Sequence, residues 1–188
     1  MTPELSSRQA VRTVATAVMC AIAAVLQGCA HTELGEGSNG TGCGATQFAK
    51  PFDQVDACSP AQVTLAAIQT TFSYRPAQQA DQGSSFRAAA PLMDDALAAR
   101  WGTGATVLAP ITASQWQSWR DIDITITATA RLGTDDHPPD TSVSFARVVA
   151  VTLLPDHAVG AIALTVFVRA VRLDSSAGWR VSALEVRT

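Results

Sequence analysis

Asp121-Ile122-Asp123-Ile124-Thr125-Ile126-Thr127-Ala128-Thr129-Ala130-Arg131 alternates apolar and polar residues almost without error. Side chains of an extended chain point to opposite faces in turn. A period of two therefore predicts a strand with Ile122, Ile124, Ile126, Ala128 and Ala130 on a buried face. Asp121 and Asp123 fall on the opposite, solvated face. A turn over residues 133–140, with Asp136, Pro138 and Pro139, leads to a second strand at 143–154. Residues 155–160 make a tight connection, 161–173 a third strand and 179–187 a fourth. Such short connections make consecutive strands antiparallel neighbours. The third strand sets Ile162, Leu164, Val166 and Val168 against Ala163, Thr165, Phe167 and Arg169. Apolar groups on both faces suit a central strand.

Upstream the period changes to that of a helix. Ser59-Pro60-Ala61-Gln62 combines a capping residue, proline at the first helical position and glutamine three after the cap. The helix it starts carries Leu65, Ile68 and Phe72 on one face and ends near Tyr74-Arg75-Pro76, where the residue before proline is pushed out of helical space. Ser84-Ser85 caps a second segment, Phe86 to Trp101, which Pro91 interrupts. A short turn followed by a new helix from Pro91 is expected, with Leu92, Met93, Ala96, Leu97 and Trp101 buried. Residues 112–119 read as a further turn with Trp116 and Trp119 on one side. They are either lids over the core edge or an exposed aromatic contact for a partner or ligand. Tyr74 and Arg75 are weaker candidates for the same role, against a plain helix terminus. Helices followed by a strand meander define an α+β class, with N-terminal helices on a curved antiparallel sheet of about four strands.

The N-terminus carries a different signal. Arg8 and Arg12 precede an uncharged run from Thr13 to Leu26, the order of a secretory leader. Leu26-Gln27-Gly28-Cys29 resembles a lipobox, in which an aliphatic residue three before the cysteine and a small residue just before it permit lipidation. Residues 1–28 are then a lipoprotein signal peptide, and Cys29 is the lipidated residue that anchors the chain at the extracytoplasmic face of the cell membrane. Two alternatives remain: ordinary signal cleavage at Gly28-Cys29-Ala30, or an uncleaved transmembrane anchor over Thr13–Ala30. Residues 29–57, glycine-rich in their first half, read as a flexible tether, and 58–188 as one domain. With Cys20 in the leader and Cys29 assigned to lipid, Cys43 and Cys58 are the remaining pair. An oxidising compartment makes a disulfide the expected state, against two free thiols with Cys58 packing as a small hydrophobe.

Apolar residues make up 47% of the chain and charged ones 15%, enough for a real core. Removing the leader with Arg8, Arg12 and Glu4 turns 13 basic against 16 acidic residues into 11 against 15. An acidic remainder with scattered arginines argues against a nucleic-acid partner. No G-x-S-x-G, H-E-x-x-H or phosphate-binding glycine loop occurs. Asp136-His137 and Asp156-His157 are neighbours in turns, where side chains face water and lack an orienting group across space. No catalytic residue, metal site or cofactor is assigned.

Helices followed by an antiparallel meander that ends in Gly178-Trp179-Arg180-Val181-Ser182-Ala183-Leu184-Glu185-Val186 resemble the nuclear transport factor 2-like (cystatin-like) fold. In that fold the sheet curls around the helices into a cone. The exported anchor, the glycine-rich tether, Trp116 with Trp119, and the terminal Gly178-Trp179-Arg180 are similar to actinobacterial envelope lipoproteins. They are also similar to accessory proteins of conjugative transfer or of mammalian-cell-entry transporters. The resemblance implies a non-catalytic interaction or assembly module with envelope protein partners, as in type IV secretion. The alternative is a small-ligand binder or enzyme using the conical pocket.

Overall fold

The computed structural model describes residues 43–187 apart from 102–103, 105–107, 109–110, 135 and 158–159. Cys29, the expected leader and the first part of the expected tether lie outside the described residues, as does the alternative anchor expected over Thr13–Ala30. The fold is α+β. Among the described residues four α-helices, α1 (Pro60–Phe72), α2 (Gly83–Ala89), α3 (Asp95–Trp101) and α4 (Ala113–Asp121), precede four strands, β1 (Ile126–Leu132), β2 (Ser144–Pro155), β3 (Ile162–Val171) and β4 (Arg180–Arg187). The strands form one antiparallel sheet in the order β1-β2-β3-β4, with β2 and β3 inside.

Helix α1 touches all four strands. The Ser59 hydroxyl accepts from the Gln62 amide, satisfying one of the donors left open at a helix start. Its buried residues are Val63, Thr64, Ala67, Ile68, Thr71 and Phe72, whereas Leu65 is half-buried, so the inner face is rotated from the expected one. The connections after the helices stitch both sheet edges. Tyr74 exchanges two backbone hydrogen bonds with Ile126 of β1, at 2.9 and 2.8 Å, and Met93 bridges Val181 of β4.

Three expectations need correction. Ile122 does not lie in the strand and is exposed: α4 runs to Asp121, and Asp123 adopts φ 52°. The Ile124 amide donates to the Trp119 carbonyl and the Asp123 amide to that of Arg120, so the helix closes in a Schellman turn. Aspartate tolerates this left-handed position better than most residues. Next, no helix begins at Pro91. Ala90–Leu92 is a single 3-10 turn, Met93 is extended, Asp94 caps α3 by accepting from the Leu97 amide, and Ala96 is exposed.

The third correction concerns the tether, which does not extend to residue 57. Phe48 and Phe52 are each only 7% exposed and belong to the core, and Ala57 accepts from the Trp179 amide at 2.8 Å. A disulfide joins Cys43 to Cys58. The apolar content of 43–57 is concentrated in two phenylalanines, too few to show a periodicity.

Candidate functional site

Alternation along β3 buries Leu164, Val166, Val168 and Ala170 and exposes Ala163, Thr165, Phe167 and Arg169. Register carries this across the sheet. Val149, Val166 and Val186 lie side by side on the inner face beneath α1, while Val148, Phe167 and Glu185 form a row on the outer face. The next outer row is Ala146, Arg169 and Ala183. Phe167 is 45% exposed, although it sits mid-strand in an interior strand. These two rows floor an open groove of about 490 Å³, with Asp136, His137 and Pro138 as its wall.

The wall is held by Arg147, whose guanidinium grips the Asp140 carboxylate with two hydrogen bonds of 2.7 and 2.6 Å. Paired donors on paired acceptors are the strong geometry for these groups. The Arg147 hydrogen bond outweighs desolvation and holds the Asp140 carboxyl below its ordinary value. His137 Nδ1 lies 3.0 Å from Arg147 Nη1 and 2.9 Å from the Pro138 carbonyl oxygen, so the ring braces the loop. Arg147 also stacks over the Phe145 ring at 4.1 Å. On the far side Glu185 pairs with Arg187 at 2.7 Å. Arg169 forms no ion pair among the described residues. The floor is therefore apolar around Phe167, with two charged members, Glu185 beside it and Arg169 in the middle of the next row.

The aromatic residues singled out from sequence lie elsewhere and serve the core. Trp116 and Trp119 are 5% and 2% exposed, so neither is an exposed partner contact. Tyr74 is equally buried, meets Trp116 edge to face with ring centroids 5.7 Å apart, and has its phenol pKa pushed up by that burial. Arg75 is exposed, and its backbone amide donates to the Gln79 side chain. Arg120 ties α4 to the adjoining loop through the carbonyls of Pro76, Gln79 and Ala80.

One member of each acid–histidine pair, His137 and Asp156, has a structural partner. Asp156 closes the open end of the β1–β2 ladder, its carboxylate accepting from the Thr125 amide and its own amide donating to the Thr125 carbonyl. Asp121 and Asp123 are exposed at the α4 turn. Among the described residues no group of three or more His, Cys, Asp or Glu side chains is placed to hold a metal ion, and no helix is long and apolar enough to cross a membrane.

Sequence reasoning missed the groove. Its signal was the apolar content of both faces of residues 161–173, and Phe167 alone carries the outer part. No protein-family model, no curated protein and no solved structure matches this chain.

Proposed function

We propose that the chain is an exported lipoprotein, anchored through Cys29, whose α+β domain is a non-catalytic protein-interaction module in an envelope assembly of the conjugative-transfer or type IV secretion kind. The nuclear transport factor 2-like cone belongs to this reading. The observation that carries it is the contrast between the two sides of the sheet. The inner side, where a cone would hold a ligand, is filled by Ile68, Phe72, Val149, Val151, Leu153 and Val166, each 0–1% exposed. The outer side presents Phe167 among Ala146, Val148 and Ala183, with Arg169 and Glu185 beside it. A ligand-binding cone needs a cavity with convergent polar groups, whereas a docking module needs exposed apolar area rimmed by charge.

The anchor and the docking face are tested together. The intact mass of the protein from native membranes, beside Cys29→Ala, should show a chain starting at Cys29 with acyl mass that the variant lacks. Phe167→Glu should leave the domain folded and abolish co-purification of the envelope partner seen with the unaltered protein. An unacylated chain would remove the lipid anchor, and partner binding undiminished by Phe167→Glu would remove the groove from the interface.

A further inference from the structure

The Gly178-Trp179-Arg180 segment is shaped to receive the disulfide loop 43–58. A β-carbon on Gly178 would stand 3.1 Å from the Ala45 methyl, 3.2 Å from Arg180 Nη1 and 3.4 Å from the Ala57 methyl, so the loop would have to give by a few tenths of an ångström to admit one. The Trp179 amide donates to the Ala57 carbonyl, and the Gly44 amide to the Ser176 carbonyl at 3.2 Å. The Arg180 guanidinium stacks over the Phe48 ring at 4.4 Å, and that of Arg172 over Trp179 at 4.7 Å. Burial lowers the Arg180 pKa against the opposing field of Asp95. The two backbone hydrogen bonds, the Arg180–Phe48 stack and the close approach at Gly178 join residues 43–57 to the β3–β4 turn or the start of β4. Phe48, Phe52 and Ala57 are the loop's own buried side chains.

We infer that the Cys43–Cys58 disulfide is a reducible clasp: a dithiol reductant opens it, releasing residues 43–57 from the β3–β4 hairpin while α1 and the four-stranded sheet stay folded. Both cysteines are half-buried, neither sealed in the core. One thiolate of the dithiol attacks a cystine sulfur, forms a mixed disulfide and expels the other cysteine as a thiolate. The second thiol of the reductant then displaces the bound cysteine. Two electrons and two protons pass to Cys43 and Cys58, and the reductant leaves as a disulfide.

Resting on the Cys29 anchor proposed above, the clasp also sets the reach of the domain. The chain from Cys29 to Cys43 spans at most about 50 Å, and from Cys29 to Cys58 about 100 Å, at roughly 3.5 Å per extended residue. Opening the clasp about doubles the distance from the membrane at which the outer groove can work.

Hydrogen exchange followed by mass spectrometry, on the full chain extracted from membranes with and without dithiothreitol, tests the clasp. Reduction should speed exchange on the order of tenfold or more in peptides covering 43–58 and 174–181, leaving 126–132 and 162–170 unchanged. Cys58→Ser should reproduce that pattern without reductant. Unchanged exchange in 43–58 would show that packing alone holds the loop, and loss of protection across β1 and β3 would show a staple for the whole fold; either overturns the clasp. The mass of the Cys29 peptide in the same samples reports the anchor separately.

Discussion

Along β3, the side chains of Leu164, Val166, Val168 and Ala170 lie buried on the helix side, while those of Thr165, Phe167 and Arg169, one residue out of step, face solvent. Both sets share one backbone and one register, yet the first is sealed and the second is open. Fully burying a side chain such as Val or Phe contributes roughly 1.5–3 kcal/mol to folding. The inner set contributes that stability. Phe167, almost half exposed, contributes little to it and is available for recognition.

The largest test of this contrast is Phe72→Ala, which empties a site beneath the sheet where the side chain is 0% exposed. Removal of a buried phenylalanine costs about 3–5 kcal/mol, read as a lower denaturant midpoint with an unchanged slope. A loss under about 1 kcal/mol would mean that the inner side is loosely packed and could admit a ligand. A smaller effect is expected where the helices hand over to the sheet. Asp123→Val forces a β-branched residue into the left-handed position and should destabilise by about 1–2 kcal/mol, whereas Asp123→Gly should be tolerated.

On the outer face the expected sign of the contrast reverses. Phe167→Ala should change unfolding free energy by no more than about 0.5 kcal/mol, the range of ordinary surface changes, while weakening partner binding measurably. The smallest effect concerns the groove wall. Asp140 has its pKa depressed by Arg147, so its contribution is present at neutral pH and disappears as pH falls through the lowered value, below the ordinary carboxylate range. Amide exchange in residues 136–141 should rise there while that of Val166 does not, and Asp140→Asn should remove the pH dependence.

The fold class was largely legible because it rests on period. Ser59-Pro60 marks the first helix, the alternation from Ile124 onward marks β1, and the short turns set the strand order. The failures have physical causes. Ile122 fits the alternation by parity alone, since a Schellman turn can place an apolar residue just before a strand without burying it. Phe48 and Phe52 are only two large apolar residues in a mostly polar stretch, and Phe48 is covered by Arg180, more than a hundred positions away. Trp116 and Trp119 share a helical face, but nothing local distinguishes a face turned inward from one turned out. For Phe167, the sequence shows two apolar faces on β3, and only the placement of the helices reveals which one they leave uncovered.

The most direct test places a photo-crosslinking residue at Phe167 in the native envelope, with Val166 substituted in the same way as the neighbour of opposite parity. The account predicts a discrete adduct with an envelope protein from position 167 that Arg169→Glu abolishes, and none from position 166. An adduct from 166 with a small molecule, beside a silent 167, would contradict it and move the site to the inner side of the sheet.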